Sequence, residues 1–240
     1  MLESYQNPYV VAAQPEDIRA GFVRKTYAHL AGAIAAFVAL EFALFQIPGI
    51  DMKVMGFLAQ SPYMWLLVLG AFMLVSWIAQ KWANNNTSMG MQYAGLAIFV
   101  FAEALIFLPL LLLAASPRFL DQPQLIGQAA IITAALFAGL TLIAFTTKKD
   151  FSFLGGMLKI GFFVAIGLII ASIPFGFNLG IWFSAAMVLL AGGSILYSTS
   201  NIIHHYGTTQ YVAAALGLFA SVALLFWYVL RILIAFTHSD

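Results

Sequence analysis

The stretch KIGFFVAIGLIIASIPFGFNLGIWFSAAMVLLAGGSILYSTSNIIHHYGTTQYVAAALGLFASVALLFWYVLR, residues 159–231, holds no Asp, Glu, Lys or Arg between its terminal Lys159 and Arg231. A membrane-crossing helix takes about 20 mainly apolar residues, so this one uncharged run is long enough to cross a bilayer three times. Polar punctuation inside it marks where the chain turns.

The rest of the chain repeats the pattern. It is 63% hydrophobic and 8% charged, with a mean hydropathy of +0.97, whereas soluble domains carry about 25% charged residues. Apolar runs predict spans near 25–46, 64–80, 89–115, 124–146, 153–174, 178–199 and 210–235. Membrane strands would alternate polar and apolar positions, and continuous runs such as Leu105 to Ala115 do not. The expected fold is therefore an all-α membrane protein, a seven-transmembrane-helix bundle held compact by short connections. The run 89–115 exceeds ordinary bilayer thickness, so it is expected to tilt, or to kink at Pro109.

Composition also excludes function classes. A net charge of +1 without a basic cluster gives no nucleic-acid footprint. The chain has no cysteine, which removes thiolate chemistry, disulfides and zinc-thiolate sites. Metal-ligand pairs at helical spacing, a nucleophile elbow and a phosphate-cradling glycine loop are all missing from the sequence, so neither an enzyme nor a bound cofactor is expected. The first 20 residues, with Glu16 and Asp17, are too polar for a cleavable signal peptide. The first apolar span is expected to serve as its own insertion signal.

Lysine and arginine in short loops resist translocation. With the N-terminus cytoplasmic, Arg19, Arg24, Lys25, Lys81, Lys148 and Lys149 lie inside; Lys53 and Arg118 fall in outer loops, and Arg231 near the outer end of the last span. Seven spans then put the C-terminus outside. The glycosylation-like stretch Asn85, Asn86, Thr87, Ser88 lands on the cytoplasmic side and carries no weight.

A charge within hydrocarbon costs at least ~3 kcal/mol unless partnered or hydrated, and two carboxyls accept that cost, Glu41 and Glu103. Glu103 lies roughly 20 Å above the inner end of its span at helical rise. It reads either as a proton or cation site or as a protonated or hydrogen-bonded Glu that fastens one helix to another. Glu41 and Arg231 reach similar heights, which predicts an outer-leaflet ion pair. Lys159 is close enough to the inner interface to snorkel. His204 and His205 share the last cytoplasmic loop, where a pH-responsive loop and a solvated turn are the two readings. With only His29 and His238 elsewhere, no metal site is expected. Tyr197, Ser198, Thr199, Ser200 and Asn201 form a polar cluster that caps a helix or lines a vestibule. Gly155 and Gly156, like Gly192 and Gly193, read as close-packing positions between helices.

Three segments, VRKTYAHLAG at 23–32, TTKKDFSFLGGML at 146–158 and ILYSTSNIIHHYGTTQYVAAALGLF at 195–219, together resemble the Bax inhibitor-1 family, in particular its bacterial YccA-like branch. The resemblance covers the chain from Val23 onward, leaving residues 1–22 as a polar cytoplasmic arm and 23–240 as the membrane domain. It implies a seven-helix fold in which the last helix sits centrally and the other six wrap around it, in a bacterial inner membrane. It also implies a pH-sensitive calcium leak governed by two hydrogen-bonded carboxylates, whose positions match Ser198 and Ser221. Serine can hydrogen-bond, but it neither titrates in the physiological range nor supplies charge to attract calcium. The basic latch that accompanies the acidic pair has no counterpart either, since nothing between Lys53 and Lys81 is charged. Two functions stay open: a leak for protons or calcium that uses Glu103, and a non-transporting interaction protein that modulates a membrane-anchored AAA-type protease, as the YccA-like branch implies.

Overall fold

A computed structural model of the chain describes residues 10–85, 88–147 and 149–237. Residues 1–9 of the expected arm, Asn86 and Thr87 of the glycosylation-like stretch, Lys148 and His238 lie outside the described residues. Among the described residues a 3-10 turn, Val11–Ala13, leads into eight α-helices: α1 Glu16–Phe45, α2 Ile50–Leu58, α3 Met64–Ala83, α4 Met89–Ala115, α5 Gln124–Thr147, α6 Leu154–Phe175, α7 Gly180–His204 and α8 Tyr211–Thr237. All but α2 are long and apolar enough to cross a membrane. The protein is a multi-pass, all-α membrane protein. Helices suit that setting because every backbone hydrogen bond closes within the segment.

The expected spans differ from these helices chiefly at their ends. The first begins at Glu16 rather than near residue 25, with Pro15 just ahead and Glu16 and Asp17 in its first turn, where carboxylates favour the positive end of the helix dipole. α7 continues past residue 199 to His204. α2 was not expected, because a nine-residue helix falls below spanning length. Gly49 starts it in the left-handed region at φ 68°, a conformation that favours glycine. α4 runs as one helix through Pro109.

Helix α8 is central and packs against α1, α3, α4, α5 and α7. It shares the centre with α4: 67% of α4's membrane window and 50% of α8's are buried, against 6% for α6. The six other long helices therefore do not simply ring the last one; α6 packs along α7 and forms no comparable seam with α8 or α3. Rings knit the centre together. Phe219 of α8 meets Phe37 of α1 and Phe99 of α4 edge-on, and Phe107 of α4 packs edge-on against Trp227 of α8.

At Gly95 the backbones of α3 and α4 approach closely. A Cβ at Gly95 would lie 2.5 Å from the Ala79 carbonyl oxygen and 2.6 Å from the Ala83 nitrogen, so only glycine fits. Small residues let helix backbones approach in this way. Of the four glycines expected to pack closely, only Gly155 does, its absent Cβ leaving room for the Tyr197 ring 2.9 Å away. Gly156 faces open space, and Gly192 and Gly193 leave ordinary contacts at 3.4 Å. Sequence spacing does not reveal which helix face meets a neighbour when every face is apolar.

Each end of the bundle carries a polar tie. At the end bearing the N-terminus, the Val11 N–H donates to the Tyr206 carbonyl at 2.9 Å, and Val11 is buried there. At the far end, Asp51 of α2 accepts from Ser116 Oγ at 2.9 Å and pairs with Arg118 Nη1 at 3.1 Å. These ties place the α7–α8 turn beside the N-terminal segment and α2 beside the α4–α5 connection. Both placements fit alternating membrane crossings.

Candidate functional site

The seam between α7 and α8 carries a cluster of hydroxyls. Ser221 Oγ lies 2.8 Å from Ser194 Oγ and 3.3 Å from Ser198 Oγ, and donates to the Gly217 carbonyl at 3.0 Å. The two positions matched to the family's acidic pair are thus brought together, with neutral side chains that satisfy one another. Ser194 was missed. It stands one helical turn before Ser198, on the same face of α7, and that i, i+4 spacing was the available signal.

This cluster lines a cavity of about 910 Å³ bounded by α2, α3, α4, α6, α7 and α8. Gln80, Ser76 and Tyr197 stand toward its N-terminal end, then the three serines, then Glu103; Ser172, Asn178 and Arg231 stand toward the far end. At 1.5 Å per residue, Ser221 lies about 15 Å along α8 from Tyr211, Glu103 about 21 Å along α4 from Met89, and Arg231 about 30 Å along α8. Polar groups therefore recur through much of the bilayer's depth.

Glu103 is 6% exposed and has no hydrogen-bond or ion-pair partner among the described residues, while its side chain borders the cavity. Of the two sequence readings, a fastener between helices needs a bonded partner, and none is present among the described residues. Glu41 is also buried, and both its carboxyl oxygens are without a hydrogen-bond partner. It does not line the cavity. The expected Glu41–Arg231 ion pair is absent; the ion pairs among the described residues are Arg118–Asp51 and His205–Asp150. Similar height along two helices does not make two side chains face each other.

The expected histidine loop is organised by a carboxylate that sequence reasoning overlooked. His205 Nε2 lies 3.0 Å from Asp150 Oδ2, while Asp150 Oδ1 accepts from the Ser152 N–H at 2.8 Å and from Ser200 Oγ at 3.2 Å. The Phe151 N–H donates to Ser200 Oγ at 2.8 Å. Partial burial pushes the Asp150 carboxyl upward, but the Ser152 hydrogen bonds and the His205 contact outweigh it and hold the group below the ordinary aspartate value. His204 Nε2, by contrast, is buried with no partner among the described residues. Lys159 sits on α6 just inside its N-terminal end. Among the described residues no three His, Cys, Asp or Glu side chains gather where they could hold a metal ion.

Comparison with known proteins covers nearly the whole chain. Residues 19–238 match the family model described as "Inhibitor of apoptosis-promoting Bax1". Escherichia coli YccA, named a modulator of FtsH protease, is 40% identical over 102 residues, which are 42% of this chain and 46% of YccA. A Pseudomonas aeruginosa protein, PA2604, is 41% identical over 112 residues, 45% of this chain and 49% of its own length. The chain thus spans about half the length of these two relatives in the matched region. Bax inhibitor 1 of Schizosaccharomyces pombe is 26% identical over 241 residues, 100% of this chain and 85% of the yeast protein.

Proposed function

Because the chain belongs to the Bax inhibitor-1 family, matched from residue 19 to 238, we propose that it acts in membrane ion homeostasis in a bacterial inner membrane, as a slow proton or cation leak routed past Glu103. The observation that carries this reading is that Glu103 is the carboxylate lining the cavity. A single carboxylate suits protons better than calcium, which takes six to eight oxygen ligands and favours clustered charge. The serine cluster offers hydroxyls to a hydrated path but nothing that titrates near neutral pH. Titration of the leak then falls to Glu103, and the far-end Arg231 works against calcium entry by charge.

Purified protein in liposomes tests the reading. Proton flux above that of empty vesicles, from pH 6 to 8, is the expected result; flux equal to empty vesicles sinks it.

A second reading is favoured by the likeness to YccA: the bundle modulates a membrane-anchored AAA-type protease and conducts nothing. Its support is the 40% identity over 102 residues to a protein named for that role. Co-purification and crosslinking that recover the protease are expected on this reading, and their failure counts against it. A calcium leak has the least support of the three, since Ser198 and Ser221 replace the acids.

A further inference from the structure

Arg231 is a cavity group that takes no part in proton transfer on the leak reading. It is half-buried in the cavity wall, and neither ion pair among the described residues involves it. A guanidinium held at that depth favours an anion that it can bond through its planar fork. Asn178 borders the same part of the cavity and supplies a further amide donor, whereas the Ser172 hydroxyl there already donates to the Ile169 carbonyl at 2.8 Å.

The walls around Arg231 are unsuited to a free hydrated anion. Trp65 and Trp227 stack there with centroids 5.9 Å apart, and apolar side chains of α2, α4 and α6 add to the lining. Both α3 and α6 line the cavity, yet no packing seam joins them. The side of the cavity between these helices therefore faces the bilayer. Its volume, about 910 Å³, is within the range of roughly 300–1,000 Å³ that holds small ligands.

We propose that this cavity binds an anionic lipid drawn from the leaflet at the far end of the bundle. The headgroup oxygens bond Arg231, and one acyl chain lies in the apolar trough between α3 and α6. The charge selects the headgroup, and the sideways opening admits the chain without passage through water. This site goes beyond the leak reading and does not depend on Glu103.

Native mass spectrometry of protein released from nanodiscs holding equal phosphatidylglycerol and phosphatidylcholine, with matched acyl chains, tests the site. One retained phosphatidylglycerol is expected, preferred by roughly tenfold, the ratio that corresponds to one charge-assisted hydrogen bond. Arg231→Gln should abolish the preference and Arg231→Lys should keep most of it. Lys53→Gln, which alters an exposed cation at the same end, should leave it intact. Ile169→Trp, which fills the trough on α6, should reduce retention of both lipids. Equal retention of the two lipids by the unaltered protein overturns the proposal, as does a preference that survives in Arg231→Gln. Should that variant not fold, undiminished retention in Ile169→Trp overturns it instead.

Discussion

Ser198 Oγ and Ser221 Oγ face each other at 3.3 Å across the α7–α8 seam. Two carboxylates placed at these positions would share one proton, because like charges that close do not both ionise easily. The double substitution Ser198→Asp, Ser221→Asp should therefore create a calcium flux that changes between pH 6 and 8. Vesicle flux measurements check it, and a flux with no pH dependence counts against a gate-like geometry here.

Glu103 and Glu41 are both buried carboxyls, but only Glu103 borders the cavity. Glu103→Gln should lower proton flux at least about tenfold, a barrier increase of ~1.4 kcal/mol, while Glu41→Gln leaves flux unchanged. Equal effects from the two changes would remove the cavity from the explanation.

Gly95 and Gly156 separate packing from helix propensity. Gly95→Ala drives a methyl into the backbone at Ala79 and Ala83, and overpacking of that kind costs about 1–3 kcal/mol. Gly156→Ala meets nothing within 4 Å and gains up to ~1 kcal/mol of helix propensity. Thermal unfolding in a fixed detergent should move down for the first and level or up for the second.

The far-end tie has a pH dependence with a defined sign. The Met52 N–H, the Ser116 hydroxyl and the Arg118 charge together hold Asp51 below the ordinary aspartate value. Its contribution is present above that ordinary value and is lost as pH falls through the depressed one. Asp51→Asn should therefore lower the melting temperature modestly at neutral pH. The gap should close in strong acid, and a gap that widens there contradicts the tie.

Much of the architecture was legible because bilayer insertion imposes one dominant constraint, long apolar runs. The span 89–115 coincides with α4, Met89–Ala115, for that reason. What the sequence hid were relations between faces. Glu41 and Arg231 share a height but not a contact, and Gly95 is the glycine pressed against a neighbouring helix backbone although the double-glycine motifs stood out more. The pairing of Ser198 with Ser221 was legible only through the family motifs, whose spacing carries the register of α7 against α8. Asp150 went unnoticed because its partners, Ser200 and His205, come from the C-terminal end of α7, which no local pattern ties to it.

The N-terminal tie at Val11 gives the chain a mechanical grip. Val11 is buried, bonded to the Tyr206 carbonyl, and followed in α1 by Phe22, whose ring packs 6.5 Å from that of Tyr206. Tension applied ahead of Val10 would load the α7–α8 turn before it reached the body of α1. Any molecule that pulls on the N-terminal tail would thus tug on the hairpin that carries the serine cluster, and force at the membrane surface would become strain at its middle.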